Sequence, residues 1–268
     1  IYGENDRPLA GAESVRDVEQ YFWPDPDWFD YSKIDWFEND EGPVSPVQWA
    51  TRFADYARIC GGWNPVFSRI MELFGMEKTL YHLVDRPDLI HAAVTCIGNF
   101  LEAFYTRLAE NCEGHADFMG FGDDFASQRA MLLSPDQWRE YFLPLWHRLF
   151  AIAHDHGLKV IMHSCGAVRP VLPDLVDAGM DIFQVVQLNA SGMDPVELRR
   201  EFSDLTFYGA IDTQELLPLG KPEKIKSEAE HIIDILGSRG RYVLSSWHFL
   251  MDDVPAENAV ALYQAARS

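Results

Sequence analysis

Six short apolar segments, rich in β-branched or aromatic residues and bounded by turn residues, alternate along this chain with amphipathic helical patterns. Near-continuous apolar strands separated by helices are typical of a parallel sheet covered by helices, because the crossover between parallel strands is usually helical. The predicted strands are DYARICGG (55–62), ADFMGFGDD (116–124), GLKVIMHSC (157–165), MDIFQVVQ (180–187), LTFYGAID (205–212) and RYVLSSWH (241–248).

Serine, aspartate and proline mark the predicted helix starts between these strands. One helix is expected to begin at Pro135, after an N-cap at Ser134, and to end at Gly157; others begin at Pro195, Pro222 and Pro255. Glycine-rich phosphate loops follow none of the strands, which removes the usual reason to prefer an open nucleotide-binding sheet. We therefore expect an α/β fold of the (β/α)8 TIM-barrel type.

The first fifty residues have a different character. Residues 1–50 are aromatic, acidic and proline-rich, and we expect an irregular segment packed on the outside or over the mouth of a barrel formed by residues 51–268. A chain of 268 residues is long enough for one such domain. Because it begins at Ile1, without a methionine, we expect the first strands of the barrel to be missing.

Charge and cysteine content limit the partners and the compartment. The formal charge is −20, with 42 acidic against 22 basic residues, so nucleic acid and anionic membrane surfaces are not expected to bind. Apolar runs fall short of the roughly 20 residues that a membrane span needs. The four cysteines show no paired spacing, which favours a reducing cytoplasm over a disulfide framework. The sequence leaves the oligomeric state open.

A thiol and an imidazole lie two residues apart at the end of one predicted strand. Alternation along the strand places His163 and Cys165 on the same face. His248 ends the last strand, in phase with Ser246, and faces the same mouth, so the three residues form a candidate Cys-His-His zinc site with an open fourth position. The alternative is that the imidazoles are hydrogen-bonded core residues and the thiol a packing residue.

Further polar and aromatic residues follow the other strands. Asp123 and Asp124 are candidate catalytic acids, although the same pair fits a helix N-cap followed by a solvated charge. An aromatic and polar mouth suits a small apolar or aromatic ligand. The candidate substrate-binding residues are Trp63, Phe125, Gln187, Asp212, Gln214 and Trp247.

Four strand ends, each with the chain that follows it, form recognisable motifs: FGDDFASQRAMLLSPDQWREYFLP (121–144), HSCGAVRPVLPDLVDAGMDIFQVVQ (163–187), TFYGAIDTQELLPLGKPEKI (206–225) and YVLSSWHFLMDDVPAENAVALYQAA (242–266). In order and spacing they resemble the uroporphyrinogen decarboxylase superfamily, and most closely its corrinoid-dependent methyltransferase branch. The resemblance implies a (β/α)8 barrel with two more strands before residue 57. It also implies zinc held by a His-x-Cys pair and by a cysteine on the last strand, where this chain has His248.

The resemblance implies methyl transfer between a small methylated compound, such as a methyl ether, and a thiol or a corrinoid on a partner protein. Zinc bound by His163, Cys165 and His248 would act as the Lewis acid. A metal-free decarboxylase is the alternative enzyme, but the candidate mouth arginines, Arg58, Arg129 and Arg169, are scattered. A degenerate barrel that serves as a binding or scaffold subunit is the non-enzymatic alternative.

Overall fold

The computed structural model describes residues 7–33 and 44–267. In these ranges six strands alternate with helices, and each predicted strand segment contains one of them. The α/β class with parallel strands, as in part of a TIM barrel, is confirmed. The strands are β1 (Ile59–Gly61), β2 (Phe118–Gly122), β3 (Lys159–His163), β4 (Ile182–Val186), β5 (Thr206–Ile211) and β6 (Tyr242–Ser246).

Most predicted helix starts are confirmed, and one predicted helix is divided in two. Ser134 accepts a hydrogen bond from the Gln137 N–H, in a capping box that starts the helix at Pro135. That helix stops at Tyr141 and a second begins at Leu143. The prediction of one continuous helix was wrong because Pro144 has no N–H to donate and its ring disfavours the interior of a helix.

Twelve α-helices lie within the described ranges. The first seven are α1 (Val15–Glu19), α2 (Pro46–Arg52), α3 (Phe67–Phe74), α4 (Met76–Asp85), α5 (Pro87–Cys112), α6 (Pro135–Tyr141) and α7 (Leu143–Asp155). The other five are α8 (Leu172–Asp177), α9 (Pro195–Glu201), α10 (Leu216–Leu219), α11 (Pro222–Leu236) and α12 (Ala256–Gln264). None of the helices in the described ranges has the length and apolarity of a membrane span.

Two compact units make up the chain, and the first comprises residues 1–123, 133–161 and 177–179. Its strand order is β1-β2-β3, and β1 pairs with β2 in parallel, with Cys60 opposite Met119. Large buried side chains from the helices fill its core; among them are Phe67, Tyr105, Trp138, Trp146 and Phe150.

The second unit comprises residues 124–132, 162–176 and 180–268. The end of β3 is followed across the sheet by β4, β5 and β6, and both the β4–β5 and β5–β6 pairs are parallel. Phe183 on β4 and Phe207 on β5 are fully buried, whereas β6 is more open, with Val243 40% exposed. Buried strands lead to the polar strand ends described below.

The described part of the N-terminal segment contains short elements. Helix α1 opens with a capping box at Ser14, and a 3-10 turn covers Pro26–Trp28. Residues 1–6 and 34–43 of the predicted segment lie outside the described residues. The division at residue 50 stays a prediction.

Candidate metal centre

Three potential metal ligands meet at the end of β3. The Cys165 Sγ lies 3.5 Å from the His163 Nε2, and that nitrogen lies 4.0 Å from the Asp124 Oδ1. All three residues are half-buried, and one ligand atom from each lies within 4.8 Å of the others. Across residues 7–33 and 44–267, this is the one group of at least three His, Cys, Asp or Glu residues so arranged.

The backbone of the turn that carries Cys165 is held by hydrogen bonds at every step. Four consecutive N–H groups, from residue 164 to residue 167, each donate to an acceptor on another segment of the second unit. The donors and acceptors are Ser164 to the Gln184 carbonyl (2.7 Å), Cys165 to the Asp124 Oδ1 (2.7 Å), Gly166 to the Gln187 Oε1 (2.9 Å) and Ala167 to the Ser127 carbonyl (2.8 Å).

Gly166 gives this turn its shape. Its φ is +87°, a left-handed conformation that favours glycine. A Cβ at this position would lie 2.6 Å from the Ser127 carbonyl oxygen and 2.8 Å from that of Ala126. The turn therefore brings two backbone segments closer than a side chain at residue 166 permits.

Burial keeps the two β3-end ligands neutral when no cation is present. It lowers the pKa of the His163 imidazole; the Asp124 charge opposes this shift and the His248 charge adds to it. Burial, together with the Asp124 charge and hydrogen bond, raises the pKa of the Cys165 thiol to about 12. A divalent cation would reverse the preference at sulfur, because thiolates coordinate metals after losing their proton.

The two adjacent aspartates have different surroundings. Asp123 is 1% exposed, and its carboxylate accepts the N–H groups of Val66 (3.1 Å), Phe67 (2.7 Å) and Ser68 (3.0 Å), where α3 begins. Burial nevertheless raises the pKa of Asp123 to about 6. Asp124 instead lies beside His163 and Cys165. Asp124 is thus the aspartate that lies at the potential metal site, whereas Asp123 holds the start of α3; the catalytic role of either stays a prediction.

His248 has a looser placement than the other predicted zinc ligands. Strand β6 ends at Ser246, so His248 lies two residues beyond it and is exposed. Its ring packs edge-on against Phe249, with 5.2 Å between centroids. It is not one of the three close ligands, but its charge acts on the pKa of His163. Its role as a ligand stays a prediction.

The candidate substrate-binding residues fall into buried and exposed groups. Phe125 and Trp247 are 0% and 4% exposed, and Gln187 is 7% exposed, whereas Trp63 is 51% exposed. Asp212 accepts the Gln214 N–H at 2.6 Å and caps the turn before α10. Their contact with a substrate stays a prediction.

Three amide side chains join the loops after β2, β4 and β5. The Gln128 Nε2 donates to the Gln214 Oε1 (2.8 Å) and to the Asn189 Oδ1 (3.2 Å), and the Asn189 Nδ2 donates to the Gln214 Oε1 (3.2 Å). We call these three residues the amide cluster. Of these three amides, only Gln214 was predicted from the sequence, although Gln128 and Asn189 also follow strands and have the same functional group.

A cavity of about 760 Å³ opens beside the amide cluster. Asn189, Asp212 and Trp247 line it together with apolar residues of β5 and α10. Lys221 and Lys224 of α11 also line it and were not predicted. The volume is in the range of small-molecule sites.

Parallel strands whose carboxyl ends carry clustered ligand residues and a cavity define an α/β-barrel-type protein with a strand-end site. The family model described as uroporphyrinogen decarboxylase (URO-D) matches residues 58–268. The chain therefore belongs to the uroporphyrinogen decarboxylase family.

The curated relatives have two activities. A methylated-thiol–coenzyme M methyltransferase of Methanosarcina mazei is 25% identical over 77% of this chain and 62% of its own length. A uroporphyrinogen decarboxylase of Chlorobaculum parvum is 25% identical over 84% of this chain and 60% of its own. A methylcobamide:CoM methyltransferase of Methanosarcina barkeri is 25% identical over 77% of this chain and 57% of its own length. The chain thus spans about 60% of these relatives.

A solved structure supports the fold. A methyltransferase from Methanosarcina mazei superposes with a TM-score of 0.63 at 21% identity, over 80% of this chain and 59% of that one. At this identity the likeness concerns the fold alone.

The donor set at the end of β3 fits the zinc implied by the methyltransferase resemblance. Thiolate, imidazole and carboxylate are the three side-chain types that bind zinc, and bond lengths of 2.0–2.3 Å put neighbouring ligands of one ion roughly 3.3–3.8 Å apart. The observed separations of 3.5 and 4.0 Å are close to that range. Three protein ligands leave the fourth position open, as in catalytic sites.

Proposed function

We propose that this chain carries the methyl-transfer site of a zinc-dependent enzyme that moves a methyl group between a small methylated compound and a thiol or a corrinoid on a partner protein. The single observation that supports this most strongly is the approach of Asp124 to the His163-x-Cys165 pair at the end of β3. His163 and Cys165 would hold the ion with Asp124 as the third ligand, and His248 would lie beside the open position.

Each residue of the cluster has a defined task in this proposal. His163 offers a neutral ring nitrogen because burial lowers its pKa. Cys165 would coordinate as a thiolate, and its proton would pass to solvent when the metal binds, because His163 and Asp124 are themselves needed as ligands. When bound, zinc supplies Lewis acidity that lowers the pKa of a coordinated thiol or oxygen.

The cavity beside the amide cluster is the candidate site for the methylated compound. Trp247 and the apolar residues of β5 and α10 would contact its apolar part, and charged residues line the rest of the cavity, namely Asp212, Glu215, Lys221, Lys224 and Glu228. The amide cluster offers neutral hydrogen-bond donors and acceptors beside that cavity. The apolar part of the lining and the neutral amides suit a small methyl ether or thioether.

Metal analysis is the first test. Protein purified without chelator is expected to hold about one zinc per chain, and His163→Ala and Cys165→Ala are expected to lose it. Asn258→Leu removes a buried amide elsewhere in the second unit and is the control for general damage to the fold. Absence of zinc from the wild type, or equal loss from the control, would contradict the proposed site.

Methyl transfer is the second test. Methylcobalamin and a small thiol should yield the thioether, the demethylated Co(I) corrinoid and one proton, and the corrinoid absorbance reports the loss of methyl. The rate should fall to background in both ligand variants and in chelator. A rate that is unaffected by chelator would overturn the role of zinc.

Decarboxylation is the second candidate, since a uroporphyrinogen decarboxylase matches this chain at the same 25% identity. A substrate with many carboxylates needs arginines that are available to bind it, because buried anions need charged partners. Arg58 pairs with Asp117, and Arg169 pairs with Glu201. Two of the three candidate arginines thus have acidic partners, whereas Arg129 is exposed. Release of carbon dioxide that is insensitive to chelator would select decarboxylation over methyl transfer.

A further inference from the structure

The turn from Ser164 to Ala167 depends on acceptors supplied by neighbouring strand ends. Two of its four N–H groups donate to backbone carbonyls and two donate to side chains, Asp124 and Gln187. Gln187 follows β4 and is 7% exposed, so water cannot readily replace its oxygen.

We infer that Gln187 is a positioning residue, which fixes the turn after β3 and through it the direction of the Cys165 thiol. Its Oε1 accepts the Gly166 N–H at 2.9 Å, one residue beyond the thiol. The part of the inference that concerns metal binding by the thiol rests on the proposed function. The part that concerns the order of the turn does not, because it holds without a metal.

The hydrogen bond from the Gly166 N–H to the Gln187 Oε1 is next to Cys165, so loss of this oxygen should change the position of the thiol. The conformation of Gly166 is left-handed and its Cα faces two carbonyl oxygens from the 126–127 segment, so the turn is tightly enclosed. Without the Gln187 oxygen the Gly166 N–H would be left without its partner in a buried site, and the turn would shift to find another acceptor. The thiol would move with it.

Gln187→Met and Gln187→Glu test the effect of the acceptor oxygen separately from the effect of side-chain volume. Methionine keeps a similar volume and removes the oxygen, whereas glutamate keeps an oxygen at the same reach. Amide hydrogen exchange in the metal-free protein should be at least about tenfold faster at Gly166 in Gln187→Met than in the wild type, and close to wild type in Gln187→Glu.

Cobalt(II), used as a spectroscopic substitute for zinc, gives the second measurement. Its affinity for the metal-stripped chain should fall about 10- to 100-fold in Gln187→Met, with a shift of the thiolate-to-cobalt absorption band. Asn258→Leu, which loses a buried amide that donates to the Leu217 and Gly220 carbonyls, should keep the wild-type affinity and band.

The outcomes distinguish this inference from the proposed function. Unchanged exchange at Gly166 in Gln187→Met would overturn the positioning role. If exchange at Gly166 is faster in Gln187→Met but the wild type binds no cobalt, the positioning role holds and the metal site is refuted. Equal losses of affinity in Gln187→Met and Asn258→Leu would show a general effect on stability and would also overturn the inference.

Discussion

The ends of β3 and β6 carry the three residues that the sequence combined into one zinc site, and they are built very differently. After β3, four consecutive N–H groups have fixed acceptors, and Ser164, Gly166 and Ala167 are buried. After β6, the successive residues Phe249, Leu250 and Met251 are 79%, 39% and 64% exposed. A ligand predicted from strand phase alone is thus well placed at one end and loosely placed at the other.

This difference shows that the order of a strand end depends on its neighbours. The β3 end receives side-chain acceptors from Asp124, after β2, and from Gln187, after β4. The β6 end has β5 as its partner, and its local side-chain bond runs from the Ser246 hydroxyl to the His248 carbonyl. Preorganisation of ligands is accordingly a property of the β3 end.

The largest expected effect comes from breaking the ordered end with Gly166→Ala. A Cβ would meet two carbonyl oxygens at 2.6 and 2.8 Å in a left-handed conformation, so the free energy of unfolding should fall by about 2–4 kcal/mol. Denaturant titration measures it. Gly240→Ala is the matched control, because Gly240 has a φ of +70° with nothing within 4 Å of the added Cβ, and should cost about 1 kcal/mol. Equal losses would refute the close packing of the turn.

Asp123, the buried acid at the end of β2, should make the stability of the chain depend on pH. The folded-state pKa of Asp123 is about 6, above its ordinary 3.8, so its stabilising contribution is complete below pH 3.8 and is lost as the pH rises through 6. Over that interval the unfolding free energy of the wild type should fall by up to about 3 kcal/mol relative to Asp123→Asn. Parallel pH profiles for wild type and Asp123→Asn would contradict the burial of this charge.

His248→Ala tests whether the loose end contributes a ligand. Because the exposed ring lies outside the close group of ligands, we expect zinc affinity to fall by less than about tenfold. Competition with a chromophoric chelator measures the affinity. A loss as large as that of His163→Ala would show that the β6 end closes onto the ion and would restore the ligand set predicted from the sequence.

The smallest effect is expected at Phe249. A side chain that is 79% exposed has little apolar contact to lose, so Phe249→Ser should change the free energy of unfolding by no more than about 0.5 kcal/mol. Thermal and denaturant unfolding measure this. A loss above about 2 kcal/mol would mean that the β6 end is packed more firmly than its exposure indicates.

Much of the fold was predictable because apolar period and turn residues act locally. The six predicted segments contain the six strands, and the predicted starts at Pro195 and Pro222 are confirmed. The break at Phe142 was not predicted, since the helical pattern continues through Phe142 and Pro144.

The candidate site was predictable only where the chain beyond a strand is held by its neighbours. His163 is the last residue of β3 and Cys165 lies two residues beyond it, in the turn whose N–H groups all have acceptors, so alternation still predicted that the two side chains meet. Strand β6 ends at Ser246, and beyond it Trp247 is 4% exposed while His248 is exposed, so strand phase no longer fixes direction. The use of the Gln187 oxygen by Gly166 depends on a contact 21 residues apart, which spacing does not encode.

The amide cluster has a consequence for acidity. Gln128, Asn189 and Gln214 tie three loops together through side chains that neither gain nor lose a proton in the biological range. A change of pH would therefore change the charge of His163 without breaking the hydrogen bonds of that tie. Any dependence of activity on pH should accordingly arise outside these three hydrogen bonds.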